Sequence, residues 1–237
     1  MPAIDDHGAL MDRVYRHQRH IYDLTRKYYL FGRDRLIREL KLEAGETLVE
    51  IGCGTARNLI AIARRYPGVR LFGLDASAEM LRTARANVAK AVPQAQIALQ
   101  QTYAETLNSS TFGRGSAPFD RALFSYSLSM IPDWQAALSA AASVVKPEGS
   151  IHIVDFGDLE GLPAPFRHAL RAWLRSFHVE PRSEILKSLE QAAGNNSRTD
   201  LWISPGRYAF SWRIAPRMLA GLRLRHVAQE SQEPPKA

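Results

Sequence analysis

Cysteine is nearly missing from this chain, with a single thiol, Cys53, in 237 residues. An intramolecular disulfide framework is therefore excluded, and a reducing compartment is the natural fit. No apolar run is long enough to span a bilayer, and the N-terminal residues lack the apolar centre of a signal peptide, so the expected location is cytoplasmic. No repeat recurs at solenoid spacing. Metal-ligand spacing is also missing: His17 and His20 stand at a helical i, i+3 interval, but no nearby cysteine or second carboxylate completes a set, so no metal is expected. Acids are outnumbered by bases, 24 to 31, for a formal charge of +7. Such a balance suits an anionic partner, either nucleic acid or an anionic lipid surface, or serves solubility alone. The length suits one α/β domain with a sizeable core.

The informative stretch is residues 47–58. Leu48, Val49 and Ile51 fit a buried strand, and Leu59, Ile60, Ile62 and Ala63 fit the buried face of the helix that follows. Gly52 and Gly54 lie at the junction, where the absence of Cβ lets the loop turn tightly and a ligand approach the backbone. Residues 69–75 form a second strand ending in Asp75. Its separation from the glycines is that at which a carboxylate reaches ribose hydroxyls in dinucleotide folds. Cys53 sits inside the loop, where packing beside a cofactor explains it better than nucleophilic chemistry.

Glu50-Ile-Gly-Cys-Gly-Thr-Ala56 resembles the first motif of class I S-adenosylmethionine-dependent methyltransferases, and residues 146–155 resemble their late strand. The resemblance covers residues 42–155. It implies a Rossmann-like α/β fold: a mostly parallel seven-stranded sheet with an antiparallel C-terminal hairpin, preceded by N-terminal helices. It also implies S-adenosylmethionine as cofactor, held by Glu50, Gly52, Cys53, Gly54, Thr55, Asp75, Ala76, Met80, Thr102, Tyr103, Ala104 and Ser125. Two positions depart from the pattern: Ala56 stands where many members have a third glycine, and Tyr103 where an acid often meets adenine.

A second unusual stretch, residues 15–37, is dense in basic and aromatic side chains together. Ile21, Leu24, Tyr28 and Phe31 recur at helical spacing, and Leu36, Ile37 and Leu40 continue the apolar face after Gly32, predicting two helices before the first strand. Such a segment can be ordinary core with a solvated basic face, or a cap that lays a basic, aromatic surface against phospholipid headgroups. Residues 19–37, 125–134 and 177–182 resemble the BtaB-type N-methyltransferases of betaine-lipid synthesis. That resemblance implies successive methylation of the amino group of diacylglycerylhomoserine, an aminolipid acceptor at the membrane surface, peripheral attachment there, and a lipid synthase as supplying partner. It does not favour nucleic acid.

The expected organisation is a helical cap over 1–41, a cofactor-binding domain over 42–228 with a substrate cover around 157–200, and a disordered tail over 229–237. Strands are predicted at 96–101, 119–125 and 151–156, helices at 134–145 and 182–193 and an amphipathic one from Phe166, and a closing hairpin from 201–204 and 208–214. Ser125 and Tyr126 fall at the carboxyl end of a strand, where open α/β sheets bind ligands. Tyr126 and Tyr22 are the candidate catalytic tyrosines, and Tyr28, Tyr29 and Tyr208 candidate walls for a methylated ammonium. Arg26 and Arg182 can pair with a carboxylate of cofactor or substrate. Solvent, Tyr126, His17, His20 or His178 can take the proton the amine must lose. Rival acceptors are another aminolipid, a soluble amine, a quinone or an RNA base, and the rival without chemistry is a binding module for the cofactor.

Overall fold

A computed structural model describes residues 30–113, 117–176, 182–193 and 200–219. Its centre is a seven-stranded sheet of order β3-β2-β1-β4-β5-β7-β6. The strands are β1 (Thr47–Ile51), β2 (Arg70–Asp75), β3 (Gln96–Gln101), β4 (Phe119–Ser125), β5 (Val145–Phe156), β6 (Leu201–Ile203) and β7 (Ala209–Ile214). β1 to β5 run parallel, β7 runs antiparallel to β5, and β6 pairs antiparallel with β7. The expected hairpin thus closes the sheet.

β1 is buried at all five positions because helices cover both faces. Alternation along the strand divides its side chains between two layers. Leu48 packs with Leu59, Ile62 and Leu71 on one face, and Val49 and Ile51 pack with Trp134, Leu138 and Phe210 on the other. Four helices cover the first face: α1 (Arg33–Glu39), α2 (Arg57–Arg65), α3 (Ala78–Ala91) and, through Leu174, α5 (Ala164–Ser176). The second face is covered by α4 (Trp134–Val144) and α6 (Ser183–Ala193). Phe210, Trp212 and Ile214 point into the second layer from alternate positions of β7, and burying side chains of this size stabilises by about 1.5–3 kcal/mol each. The antiparallel strand is therefore firmly held, while β6 is only half-buried.

Local chemistry sets the helix starts. Ser77 caps α3 by accepting the Met80 amide at 3.2 Å, and Asp133 caps α4 by accepting the Ala136 amide at 2.9 Å. The helical face interrupted at Gly32 begins afresh there: Gly32 has φ +84°, and a Cβ would stand 2.7 Å from the Trp202 ring. The turn expected at residues 147–149 is absorbed within β5. Phe119 pairs with Val145 and Arg121 with Ser150, so the surplus residues of β5 bulge outward between these pairs. Among the described residues, no helix is long and apolar enough to cross a membrane.

Candidate functional site

β1 sends its chain to β2 on one side and has β4 as its other neighbour, so the order of the sheet reverses between β1 and β4. Open α/β sheets place ligands at the carboxyl ends of strands at such a point. Gly52 follows β1 there with φ +74°, and a Cβ on it would lie 2.6 Å from Ser127 Cβ, so the glycine loop and the turn after β4 are in direct contact. Ser127 ties them together by donating its hydroxyl to Ile51 O at 2.8 Å. The amides of Gly52 and Cys53 both donate to Leu74 O at 2.9 Å, which draws the loop against β2.

Asp75 ends β2 beside this loop. Its carboxylate accepts the Gly54 amide at 2.8 Å and the Ser77 amide at 2.9 Å, which fixes it as a rigid acceptor. Glu50 is buried and accepts the Asn58 amide nitrogen at 2.6 Å, tying the strand to the first turn of α2. Ala56, in the third-glycine position, takes the left-handed conformation at φ 63°, ψ 23° as the residue before α2. Alanine fills that position at modest strain. Burial, followed by the charges of Asp75 and Glu50, pushes the Cys53 thiol well above its ordinary pKa. Its sulfur packs where a Cβ of Gly73 would be, so the thiol is a packing group.

A cleft lies over the loop, lined by Leu30, Arg33, Glu50, Gly52, Thr55 and Ser125 among others. Among the buried polar atoms there, Arg33 Nε, Thr55 Oγ1 and Ser125 Oγ have no hydrogen-bond partner. An unsatisfied buried polar group is costly and calls for a ligand or water. A guanidinium and two hydroxyls in one cleft suit a carboxylate and an ammonium, as on an amino-acid tail. With Asp75 alongside for a ribose diol, the residues fit a nucleoside that carries such a tail. Arg33 was not among the expected cofactor residues. Its only sequence signal was its place in the basic stretch, which held too many arginines to single it out.

The residues expected at the adenine end lie just after β2 and β3 and at the start of α3. Thr102 donates its amide to Asp75 O at 3.2 Å, Tyr103 is half-buried, and Ala104 opens a short 3-10 turn. Ala76 is half-buried, with Gln101 on its carbonyl at 3.2 Å. Met80 is buried at the start of α3.

On the β4–β5 side the site is aromatic. Tyr126 directly follows β4 with φ +55°, a conformation that a bulky residue holds at about 1–3 kcal/mol of strain. It is pinned by its amide on Val154 O at 2.7 Å and by its hydroxyl, which donates to Phe31 O at 2.5 Å. Its ring meets Phe156 edge-on at 4.8 Å, Phe156 meets Tyr208 at 5.8 Å, and Tyr208 meets Phe31 at 5.4 Å. Phe156 is a member of this cluster that the sequence reading left unassigned. Burial, then the neighbouring Tyr208 and Asp155, raises the Tyr126 pKa well above that of a free phenol. The hydroxyl keeps its proton, and Tyr126 as proton acceptor is set aside. Asp155 lies fully buried in this region, where burial pushes its carboxyl up to about 6 against the pull of the Phe156 and Ser129 amides.

Arg182 has one guanidinium nitrogen, Nη1, engaged with the protein. It donates to Ile131 O and Pro132 O at 3.2 Å, fastening α6 to the turn after β4. Tyr22, Arg26, Tyr28, Tyr29, His17, His20 and His178 lie outside the described residues.

Fold and site together define a Rossmann-like domain with a cleft whose residues suit a nucleoside with an amino-acid tail. Residues 48–149 match a family described as methyltransferase domain. The chain is 30% identical over 169 residues to a ubiquinone/menaquinone biosynthesis C-methyltransferase of Syntrophotalea carbinolica, covering 68% of this chain and 65% of that one. It is 29% identical over 192 residues to a demethylmenaquinone methyltransferase of Tropheryma whipplei, covering 79% and 74%. The chain spans 60–65% of the length of several curated relatives it matches. The fold is similar to that of an S-adenosylmethionine-dependent methyltransferase from Aquifex aeolicus, with TM-score 0.51, 15% identity, and coverage of 80% of this chain and 91% of that one. Over residues 48–149 the chain is thus similar to methyltransferase domains, and its fold is like that of an S-adenosylmethionine-dependent methyltransferase.

Proposed function

We propose that the protein is an enzyme that methylates the amino group of an aminolipid, with diacylglycerylhomoserine carried to its trimethylated betaine form as the specific reaction. The observation that supports this reading is the ring cluster of Phe31, Tyr126, Phe156 and Tyr208, in which Phe31 is exposed and Tyr126 directly follows Ser125 of the cleft over Gly52. Each aromatic face stabilises a cation by about 0.5–2 kcal/mol while tolerating a growing number of methyl groups, as successive methylation of one nitrogen requires. The headgroup assignment rests on the resemblance of residues 19–37, 125–134 and 177–182 to betaine-lipid N-methyltransferases.

When bound, the cofactor supplies a methyl group on a sulfonium, open to in-line attack. This chain's residues supply position. Asp75 and the Gly52–Gly54 backbone hold the nucleoside end, and Arg33, Thr55 and Ser125 match the amino-acid tail. Tyr126, fixed at both amide and hydroxyl, backs the exposed Phe31 and the half-buried Tyr208, against which the acceptor nitrogen rests. An amine lone pair is already a competent nucleophile, and orientation of this kind contributes about 7–11 kcal/mol in ideal geometry. The hydroxyl of Tyr126 stays protonated, so the proton of the incoming ammonium goes to solvent or to His17, His20 or His178.

A second reading, methylation of a quinol ring at carbon, is favoured by the names of the relatives at 29–30% identity. A flat ring would stack on the same aromatic walls. Purified protein incubated with methyl-labelled cofactor and, separately, with aminolipid and demethylated quinol in detergent micelles distinguishes the two. The proposal expects label on the aminolipid nitrogen in mono-, di- and trimethylated products. Label on quinol alone would replace it with the second reading.

A further inference from the structure

Large hydrophobic side chains left exposed among the described residues are Phe31, Phe166 and Trp173, at 56, 60 and 39%. Single exposed apolar residues are commonplace, whereas their concentration in one region marks a contact surface. Two of these three lie on α5. Phe166, Ala169, Leu170 and Trp173 follow one another at i, i+3, i+4 and i+7, so Phe166 and Trp173 share a face of the helix, with Ala169 also exposed along it. The third, Phe31, belongs to the aromatic cluster.

The other side of α5 is committed to that cluster. Leu174 is buried in the layer that contains Tyr126 and Phe156, and Leu170 and Tyr208 pack against the same layer. Arg171 donates to Asp158 O at 3.1 Å, while the Asp158 carboxylate takes Arg207 in a two-point ion pair of 2.6–2.9 Å. Burial alone would raise the Asp158 pKa, but the Arg207 hydrogen bonds and the Glu160 amide hold it below the usual carboxylate value. The ion pair thus persists at neutral pH. α5 is a fixed platform over the acceptor end of the site.

Its charge has one sign. Arg167, His168, Arg171 and Arg175 lie along the helix, and the helix contains no acid. Aromatic side chains on an exposed face, flanked by arginines and unaccompanied by carboxylates, are the pattern of a helix that lies in the interface of an anionic bilayer.

We propose that the exposed side of α5, with Phe166 and Trp173 along one edge, Arg175 along the other and the added charge of Arg167, docks the protein on an anionic phospholipid surface and so brings the aromatic cluster to a lipid-borne acceptor. This rests on the proposed function to the extent that the acceptor resides in lipid, and it moves the contact from the N-terminal basic stretch to a helix over the pocket. A neighbouring protein or a second copy of this chain is a competing occupant, and the charge favours the anionic surface.

The test uses the full chain and sedimentation with vesicles of phosphatidylcholine, either pure or with phosphatidylglycerol. The wild type is expected to bind the phosphatidylglycerol vesicles, and binding should weaken as salt is raised. Phe166→Ser/Trp173→Ser and Arg167→Gln/Arg175→Gln should each bind at least tenfold more weakly, with affinity for S-adenosylhomocysteine and turnover of a micellar acceptor unchanged. Should Trp173→Ser disturb folding, the well-exposed Phe166→Ser alone and the arginine pair carry the comparison. Undiminished vesicle binding in the variants would overturn the proposal. So would a change from dimer to monomer in the aromatic variant with vesicle binding intact, since the face would then be a self-contact. Methylation of micellar aminolipid is scored separately, so loss of the catalytic reading leaves the docking result standing by itself.

Discussion

The two halves of the site are built from different materials. The donor half is polar and made largely of backbone: Gly52, Cys53, Gly54 and Asp75 form one hydrogen-bonded unit within two consecutive strand ends. The acceptor half we propose is made of side chains, Phe31, Tyr126, Phe156 and Tyr208, gathered from four distant parts of the chain. A cofactor that is the same for every reaction of this class can be met by fixed amides and one carboxylate. An acceptor that differs from enzyme to enzyme needs side chains that can be exchanged.

Substitutions should separate the halves. The largest effect is expected at Gly52→Val, since a Cβ there meets Ser127 at 2.6 Å on a backbone of φ +74°. Calorimetry should find no measurable cofactor binding, and the melting temperature should fall, because both the loop and the turn after β4 must shift. Asp75→Ala should weaken S-adenosylhomocysteine binding by about ten- to a hundredfold, on the order of 1.4–2.7 kcal/mol, with KM for the acceptor unchanged. A matching rise in acceptor KM would blur the division.

The next effect in size reads out in pH. Asp155 has its pKa raised to about 6 by burial, above the unfolded value of about 3.9. Its contribution to stability is therefore fully present below the unfolded pKa and lost as pH rises through 6. Replacing it by asparagine removes that dependence. Between pH 4 and 7 the unfolding free energy of Asp155→Asn should gain on that of the wild type by roughly 2 kcal/mol, measured by denaturant titration at each pH. Parallel curves would mean that the carboxyl is not confined as described.

Smaller effects belong to the aromatic half. Tyr208→Leu should raise acceptor KM about three- to tenfold, the span of one cation–aromatic contact, and leave cofactor affinity alone. Tyr126→Phe removes the hydroxyl that donates to Phe31 O. It should lower kcat severalfold with little change in cofactor binding, because the ring remains while its tether to the N-terminal segment is lost.

The same contrast explains what could be read from the sequence. β3 and β4 fall on the expected residues, and the glycine loop and Asp75 meet as foreseen, because strand, loop and spaced acid lie in one short window and obey local rules. The closing hairpin was also legible from alternation in residues 208–214. The ring cluster was not. Phe156 reads as one more apolar residue of a buried strand, and only the sheet order brings it beside Tyr126 and Tyr208. Arg33 was hidden among many arginines until its unpartnered Nε appeared in the cleft. Arg182 was named for its charge alone, and composition could not tell that its Nη1 fastens α6 to the turn after β4.

The most direct test is a crystal structure of the protein with S-adenosylhomocysteine. The ribose hydroxyls should rest on Asp75, the adenine beside Tyr103 and Ala104, and the amino-acid tail against Arg33, Thr55 and Ser125, with the sulfur turned toward Tyr126. A nucleoside bound elsewhere, or its tail pointing away from Arg33 and the aromatic cluster, would contradict the division of the site into these two halves.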